Sequence, residues 1–263
     1  MAANVYHPGA QGDMIYAIPA MTMIGDCKIS VPAPRRKRKR GRRRLRFFMK
    51  KIMEAQPFFH ELDYYSGDKI DYNFSAYRGI AKRNPKQHLA KCHLEAVGMD
   101  YDLSKVWIKN ISPLPQNHKI VINYTLRYHD YEGKDVLKLK PVEKHPEYKE
   151  FLRMRGFDLG CLKKYEKDIV FIGSERDGEK DLFCGIAGIN CEYRRVADAY
   201  EFAQVINGSN LFIGNQSLGL ALAEGLKKPR AYEVYSFYDN CRPNSRNGHA
   251  FLNEGLLDMY MKN

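Results

Sequence analysis

The residues best suited to chemistry lie in one stretch near the C-terminus, residues 207–234. A short apolar run at 211–213 predicts a buried strand, and Gly214-Asn215-Gln216-Ser217 forms a turn into a helix that starts at Leu218. The N-terminus of a helix has free backbone N–H groups and a partial positive charge, which suit a phosphate. These residues therefore predict a phosphate cradle, and an ordinary strand–helix–strand unit without a ligand fits them equally well.

Asp13 is a second candidate, near the N-terminus. Residues 4–6 predict a first strand, residues 7–13 a turn with two glycines, and residues 14–24 a helix. The turn matches neither Gly-x-Gly-x-x-Gly nor Gly-Lys-Ser/Thr. Asp13 is thus expected at the carboxyl end of the first strand, where open α/β sheets bind ligands. The alternative role for this carboxylate is a simple cap of the helix.

The positive charge is concentrated in one segment. The 263 residues include 43 Lys and Arg against 31 Asp and Glu, a net charge of +12. Ten of these cations fall within residues 35–46, which leaves 33 against 31 acids elsewhere. Blocks of like charge repel, so the run predicts an irregular insertion that binds a polyanion or is merely solvated. Its members are Arg35, Arg36, Lys37, Arg38, Lys39, Arg40, Arg42, Arg43, Arg44 and Arg46.

The composition excludes several classes of protein. Hydrophobic residues form 44% of the chain, which is typical of a globular protein. Six cysteines without a Cys-x-x-Cys pair favour a reduced, cytoplasmic protein. His88, Cys92 and His93 lack an evident fourth ligand, so no metal site is predicted. Neither a secretory signal nor a membrane span is expected, because the apolar runs are far shorter than the ~20 residues that a span needs.

Strands alternate with helices on both sides of a proline-containing segment, residues 111–117, which predicts parallel sheets covered by helices. The predicted boundaries are an N-terminal lobe at residues 1–113 and a C-terminal lobe at residues 114–263. Helices are predicted at 45–55, 85–98, 146–155, 196–206 and 248–261, and strands at 70–74, 106–108, 119–124, 168–172 and 230–234.

Two motifs, one near each end of the chain and in the order found in that family, resemble the heptosyltransferase type of GT-B glycosyltransferase. Pro8-Gly9-Ala10-Gln11-Gly12-Asp13, with Pro19-Ala20 after it, is similar to the first loop of that family. Ile213-Gly214-Asn215, then Ser217 and an Ala-rich helix, resemble its nucleotide-sugar signature. The resemblance implies an α/β fold of two Rossmann-like lobes with a cleft between them. Here the N-terminal lobe is reduced and the chain ends in a helix.

The resemblance also implies roles for individual residues. Asp13 matches the catalytic carboxylate, which takes the proton of the acceptor hydroxyl. Thr125 and Arg127 match a phosphate-contacting Thr-x-Arg, and Arg can hold phosphate oxygens in two-pronged fashion. Transfer is expected to need no metal and no cofactor beyond the nucleotide-sugar donor. The other predicted donor-site positions are Gly12, Gly173, Ser174, Asn215, Gln216, Ser217 and Leu218.

The chain departs from the family pattern at three positions. Gln216 replaces an Asp, Leu218 a Gly and Ala221 a His. These losses leave the identity of the donor open, since backbone amides and Ser217 can still hold a phosphate. Asp100-Tyr101-Asp102 is the metal-binding signature of a different glycosyltransferase fold, and its position away from both motifs favours a solvated turn.

The sequence leaves three functions open. The favoured one is an inverting transferase that glycosylates a hydroxymethylated base in double-stranded DNA, as bacteriophage enzymes of this fold do in the cytoplasm of a bacterial host. That reaction requires extrusion of the base. The second is a transferase acting on a phosphorylated glycolipid or surface saccharide, and the third an inactive nucleic-acid-binding α/β protein. The sugar, the nucleoside and the oligomeric state stay undetermined.

Overall fold

The computed structural model of this chain describes residues 1–33, 39–115, 117–125, 130–131, 134–135, 157–173, 178–234, 240–242 and 247–262. Within these ranges the chain forms two parallel sheets flanked by helices, so the α/β fold class predicted from the sequence is confirmed. No helix in this part of the chain is long and apolar enough to cross a bilayer.

The first sheet and its helices consist of β1 (Ala3–Tyr6), β2 (Cys27–Val31), β3 (Phe59–Tyr64) and β4 (Tyr72–Asn73), with α1 (Gln11–Ile24), α2 (Lys39–Glu54), α3 (Tyr77–Arg83) and α4 (Leu89–Ala96). The four described strands are all parallel, in the order β3-β2-β1-β4. Helices α1, α2 and α4 supply buried apolar side chains to the core that includes buried residues of β1, β2 and β3.

Burial alternates along the strands of this sheet. In β2, Cys27, Ile29 and Val31 are buried, whereas Lys28 and Ser30 face outward. The outward face borders a polar cleft of about 590 Å³ that the connection from β3 to β4 helps to line. Because no described helix forms that connection, this lobe is reduced, as the sequence predicts.

The strands of the second half are β5 (Ile120–Asn123), β8 (Ile169–Phe171), β9 (Glu192–Tyr193), β10 (Leu211–Gly214), β11 (Arg230–Tyr232) and β12 (Gly248–His249), and a separate antiparallel pair consists of β6 (Asp130–Tyr131) and β7 (Lys134–Asp135). The first six form the second described sheet, in which all strands are parallel, in the order β12-β11-β10-β5-β8-β9. The helices of this half are α5 (Glu179–Ala187), α6 (Ala199–Gly208), α7 (Leu218–Gly225) and α8 (Glu254–Met261).

Both sheets reverse their strand order at one point. In the first sheet the chain proceeds from β1 to β2 and β3 on one side, and β4 then pairs on the other side of β1. In the second sheet the reversal falls between β5 and β10. Open α/β sheets bind ligands outside the carboxyl ends of the strands at such a switch point. The fold therefore offers one crevice after β1 and another after β5 and β10.

The two halves share one hydrophobic core. Residues from α1, α2 and α4 belong to the same buried cluster as residues from α6 and α7. Backbone N–H groups of Trp107 and Ile108 donate to the carbonyl of Gly225, at 3.1 and 3.2 Å. The segment around residue 111, predicted to be a linker, is also packed, since the Asn207 amide donates to the Ile111 carbonyl at 2.7 Å. The boundary after residue 113 stays a prediction.

Several predicted elements need correction. The sequence predicts a helix only from residue 45, but α2 already begins at Lys39, because the apolar residues of its later turns are buried in the core and pack on β3. Residues 106–108 form no strand and follow an irregular path against α7. The final helix begins only at Glu254, after β12, where Asn253 caps it. The helix predicted at 146–155 lies outside the described residues.

Candidate functional site

The turn after β1 folds tightly around Gly9. The Gly9 N–H donates to Nδ1 of His7 at 3.1 Å. A Cβ placed on Gly9 would lie 2.4 Å from the His7 ring and 3.1 Å from the Cβ of Asp13. Real Cβ atoms do not approach a ring carbon so closely, so this turn requires glycine. The close approach brings Asp13 next to His7, the residue that follows β1.

Asp13 lies in the first turn of α1, three residues after the N-cap residue Ala10. It is therefore not the cap, and that alternative is wrong. Its side chain is 27% exposed. Its Oδ2 accepts a hydrogen bond from the Tyr77 hydroxyl at 2.5 Å and lies 3.7 Å from a guanidinium nitrogen of Arg78. Both contacts involve the same oxygen, which leaves Oδ1 as the atom that can approach a hydroxyl.

Tyr77 and Arg78 act as a pair. The Arg78 Nε donates to the Tyr77 oxygen at 2.9 Å, while that hydroxyl donates to Asp13. Burial, followed by the negative charge of Asp13, raises the pKa of Tyr77 above its ordinary value. The phenol therefore stays protonated and remains a donor to the carboxylate throughout the neutral pH range.

A buried histidine pair supports this arrangement. Nδ1 of His93 donates to the Leu89 carbonyl at 2.8 Å, so its Nε2 is left as an acceptor in the neutral ring. Nδ1 of His7 already accepts from Gly9, so its Nε2–H donates to Nε2 of His93 at 3.2 Å. Burial lowers the pKa of His93 to about 4 and that of His7 well below its usual value. Tyr77 stacks on His93 with ring centroids 4.1 Å apart.

The N-terminus of α7 is the second part of the site. Ser217 occupies the N-cap position but makes no side-chain cap, because its hydroxyl donates to the Asn123 side-chain oxygen at 3.1 Å. By contrast, Asp198 and Asn253 cap α6 and α8 through their side chains. The N-terminus of α1 likewise lacks a side-chain cap. Uncapped first-turn amides are the groups that bind an anion at a helix N-terminus.

The side chain of Asn215 forms hydrogen bonds with the backbone of Thr125. The Asn215 side-chain oxygen accepts from the Thr125 backbone N–H at 3.2 Å, and its Nδ2 donates to the Thr125 carbonyl at 2.9 Å. Asn215 is fully buried and Gln216 is nearly so. The side chain of Asn215 thus holds the end of β5 in place beside α7. The predicted donor contacts of Asn215, Gln216 and Thr125 stay predictions.

The two helix N-termini meet. A Cβ added to Gly12 would lie 3.9 Å from both the backbone nitrogen and the Cα of Leu218. The α1 start therefore contacts the α7 start, and Asp13 lies beside the Ser217 turn rather than on another side of the molecule. Gly12 and Leu218, two of the predicted donor-site positions, thus lie close together, and the roles of Gly12, Asp13, Ser217 and Leu218 stay predictions. The crevice after β1 and the crevice after β5 and β10 both open at this contact between the two helix N-termini.

The remaining predicted positions are distributed differently. Gly173 follows β8, its carbonyl accepts from the Tyr193 hydroxyl at 2.7 Å, and a Cβ there would collide with the Phe171 ring at 2.6 Å. Gly173 thus packs within the fold, and its role toward a nucleotide stays a prediction. The predicted residues that fall outside the described part of the chain are Arg35, Arg36, Lys37, Arg38, Arg127 and Ser174.

The basic run continues into α2. Since α2 runs from the carboxyl end of β2 back to the start of β3, its N-terminal turns lie at the same edge of the sheet as Asp13. Arg46 confirms that position, because its Nε donates to the Leu62 carbonyl at 3.1 Å and its guanidinium lies 3.1 Å from Asp63. Arg46 therefore already holds the end of β3, which reduces its availability for a polyanion.

Tyr77, Arg78 and the two buried histidines were not predicted from the sequence. They carry no motif, and the helix that presents Tyr77 is only seven residues long. The sequence signal that could have identified His7 is its position beside the glycine turn, residues 7–13. Nothing in the sequence indicates that His93 contacts His7. Among the described residues there is no group of three or more His, Cys, Asp or Glu side chains arranged to hold a metal.

Comparison with known proteins supports the fold. No protein-family model and no curated protein sequence matches the chain. Three similar solved structures are a glycosyl transferase family 9 protein from Veillonella parvula, the E. coli heptosyltransferase WaaC with ADP, and E. coli ADP-heptose lps heptosyltransferase II. Their TM-scores are 0.59, 0.55 and 0.55, with 13%, 11% and 13% identity.

The likeness extends over nearly the whole chain. The matches cover 99%, 100% and 98% of this chain and 90%, 99% and 95% of the other three, in the same order. The structure therefore has the GT-B fold of heptosyltransferase-type proteins, and the resemblance predicted from the two motifs is confirmed at the level of the fold.

Proposed function

We propose that this protein is an inverting glycosyltransferase that uses a nucleotide-sugar donor, with Asp13 as the general base. One observation carries the proposal: the loop that presents Asp13 and the uncapped N-terminus of α7 meet where both sheets reverse their strand order. A carboxylate on one lobe then faces a phosphate-binding helix terminus on the other. The solved structures of similar fold include one with ADP, which supports a nucleotide as the ligand.

The proposed reaction assigns a step to each group. Oδ1 of Asp13 takes the proton of an acceptor hydroxyl as its oxygen attacks the anomeric carbon of the donor. The bond from that carbon to the diphosphate breaks, and negative charge develops on the leaving group. The first-turn amides of α7 and the Ser217 hydroxyl stabilise that charge. Tyr77 and Arg78 hold Oδ2, so only Oδ1 turns toward the acceptor. We also propose that this transfer reaction needs no metal ion.

The proposed acceptor is a polyanion, and duplex DNA with a hydroxymethylated base is the favoured one. The basic run enters α2 at the edge of the sheet that carries Asp13. Each phosphate that Lys or Arg neutralises releases counterions, which makes binding strongly salt-dependent. A phosphorylated glycolipid presents the same charge, so acceptor assays need both substrates. The Arg42→Ser/Arg43→Ser variant should weaken binding to DNA and reduce its salt dependence, whereas the exposed-site control Lys82→Ser/Lys86→Ser should change neither.

The test of the reaction is the variant Asp13→Asn. Release of nucleoside diphosphate from a panel of nucleotide sugars is measured with hydroxymethylated duplex DNA, with unmodified DNA and with a phosphorylated glycolipid. The wild-type protein should release nucleoside diphosphate with one of these acceptors. The rate for Asp13→Asn should be at least about 100-fold lower, which is the lower end of the contribution of a general base. Donor binding, followed by thermal stabilisation, should persist in the variant.

The matched control is Asp100→Asn, which removes an 87% exposed carboxylate from the Asp-x-Asp turn. It should retain wild-type turnover, since Asp100 pairs with Lys91 away from the site. Full turnover in Asp13→Asn would exclude this carboxylate as the base. If no nucleotide sugar or nucleoside diphosphate stabilises the wild-type protein, the departures at Gln216 and Ala221 would instead favour an inactive, nucleic-acid-binding scaffold.

A further inference from the structure

Two cysteines face each other in the second half of the molecule, apart from the proposed active site. Cys184 lies in α5 and Cys191 immediately precedes β9. Their sulfur atoms are 3.4 Å apart. Cys184 is partly exposed, and Cys191 is 5% exposed. Nothing in the proposed transfer reaction uses either thiol.

The fold, rather than the sequence spacing, creates this pair. After α5 ends at Ala187, Gly188 takes a left-handed conformation with φ 65°, and the Ile189 N–H donates to the Cys184 carbonyl at 3.1 Å. The chain thus turns back and places Cys191 over the last turns of the helix. A disulfide has an S–S length of about 2.05 Å, so the sulfurs need approach by only ~1.4 Å, which side-chain rotation can supply.

The surroundings make the two thiols unequal. The thiol and the backbone N–H of Cys191 point at the Cys184 sulfur, and Lys180 lies one turn earlier on α5. These contacts outweigh burial and the opposing charge of Asp181, and they lower the pKa of Cys184 to about 7. The same hydrogen bond raises the pKa of Cys191, with burial and the nearby Glu166 acting in the same direction. A partly exposed thiolate beside a second thiol is the arrangement found at reactive dithiols.

The other cysteines provide a contrast. Burial raises the pKa of Cys27 and of Cys161 to about 12, and that of Cys92 to about 11. Burial also raises the pKa of Cys241. All four therefore carry little thiolate at neutral pH, and a thiolate is the species that attacks a disulfide.

We propose that Cys184 and Cys191 form a redox-active pair that a low-molecular-weight disulfide, such as glutathione disulfide, converts to an intramolecular disulfide. The Cys184 thiolate attacks one sulfur of glutathione disulfide, and one glutathione leaves as its thiolate. The Cys191 sulfur loses its proton to solvent and attacks the Cys184 sulfur, which expels the second glutathione. Two protein thiols are oxidised, and one glutathione disulfide is reduced to two thiols.

The test uses the full-length protein and intact-mass spectrometry after incubation with excess glutathione disulfide at neutral pH. Wild type should lose the mass of two hydrogen atoms, retain four of its six free thiols, and recover them with dithiothreitol. Peptide mapping should identify a link between Cys184 and Cys191. In Cys191→Ser the reaction should stop at one glutathione on Cys184, because the resolving thiol is absent.

The matched control is Cys161→Ser, which removes another partly exposed thiol and should be oxidised like wild type. Cys184→Ser should show at least tenfold slower modification at Cys191. A wild-type protein that keeps all six thiols, or one whose adduct forms on Cys161 or Cys241 first, would overturn the proposal. These outcomes do not depend on whether the protein transfers a sugar.

Discussion

Asp13 is held by side chains from a single short helix, α3. Tyr77 and Arg78 are adjacent in sequence, and both contact Oδ2 of the carboxylate. The Tyr77 ring rests on His93, which is fully buried. A general base works only when it is within hydrogen-bond reach of the proton that it takes. We infer that Tyr77 orients this carboxylate and is therefore a positioning residue.

Tyr77→Phe tests this role, because phenylalanine keeps the ring stack and removes only the hydroxyl. A hydrogen bond to a charged group contributes about 1.5 to 3 kcal/mol, so kcat should fall roughly 10- to 100-fold. KM for the donor should change little, since the phosphate cradle is on the other lobe. Steady-state kinetics check both values. Tyr101→Phe is the control, because its hydroxyl donates to the Val106 carbonyl and not to Asp13. Unchanged kcat in Tyr77→Phe would contradict the role.

The histidine pair predicts how stability depends on pH. The pKa of His93 is about 4 in the folded protein against 6.5 for an ordinary histidine. Above pH 6.5 the ring is neutral in both states, and between 6.5 and 4 only the unfolded state takes up the proton. The free energy of unfolding should therefore fall as the pH drops through this window, by on the order of 3 kcal/mol from His93.

Urea unfolding at a series of pH values measures this loss. His93→Gln should make the decline between pH 6.5 and 4 shallower, because it removes one of the two buried imidazoles, and His7, whose pKa is also lowered, accounts for the decline that remains. His60→Gln is the control, since His60 lies on the surface beside Asp26. An equally steep decline in His93→Gln would show that other groups cause it.

At the scale of elements, two glycines, one at the end of β10 and one in the first turn of α7, leave no room for a Cβ. Gly214 on β10 would place a Cβ 2.5 Å from the Asn123 carbonyl, and Gly219 would place one 2.7 Å from the Asn123 side-chain oxygen. That oxygen is the acceptor of the Ser217 hydroxyl. Glycine at these two positions thus lets the Asn123 and Phe212 side chains pack directly on the backbone where β5, β10 and α7 meet.

Gly219→Ala and Gly185→Ala form a matched pair within two helices. The first should destabilise the protein by about 1 to 3 kcal/mol and weaken nucleotide binding, because its Cβ displaces Asn123 and Phe212. A Cβ on Gly185 meets no atom within 4 Å. That substitution should stabilise α5 by about 0.5 to 1 kcal/mol. Thermal unfolding with and without nucleoside diphosphate measures both, and equal effects would contradict the packing argument.

At the scale of the molecule, the two halves are joined by a buried polar cluster. Glu224 of α7 is fully buried and lies 3.2 Å from Nε2 of His88 and 3.9 Å from a guanidinium nitrogen of Arg230. Tyr16 of α1 also hydrogen-bonds to Glu224. The cluster therefore links residues of both halves within the shared core. Such an interface favours a fixed arrangement of the lobes over free rotation.

Unfolding in denaturant should accordingly show one transition. Trp107, the sole tryptophan, is buried at the junction between the halves, so its fluorescence reports on their separation. Fluorescence and far-UV circular dichroism should give coincident curves. Glu224→Gln should lower the free energy of unfolding by about 3 to 5 kcal/mol, because it leaves buried partners uncompensated.

The control is Glu54→Gln, at a 43% exposed position where Glu54 pairs with Lys50. It should shift stability by less than about 1 kcal/mol. Two separate transitions in wild type would show that the halves unfold independently.

The sequence alone determined the local units of this protein. Leu211–Gly214 followed by Leu218–Gly225 forms the predicted strand, turn and helix, because the apolar run and the small turn residues leave few alternatives. The same holds for the first strand, the glycine turn and α1. Strand–helix alternation then fixed the parallel sheets, since parallel strands need a crossover connection. Local pattern accordingly placed Asp13 and Ser217 at the turns that follow two strands, whereas their roles come from the family resemblance and stay predictions.

Only the tertiary structure decided what surrounds those residues. Tyr77, His93 and Asp13 are separated by many residues and meet through packing on α1, a relation that no local pattern records. The cysteine pair arises in the same way, from a turn-back of the chain after α5. The early start of α2 at Lys39 also depends on packing, because burial of its later residues outweighs repulsion between neighbouring cations. Secondary-structure propensity and repulsion between neighbouring charges act over a few residues, whereas burial brings together residues from distant parts of the chain.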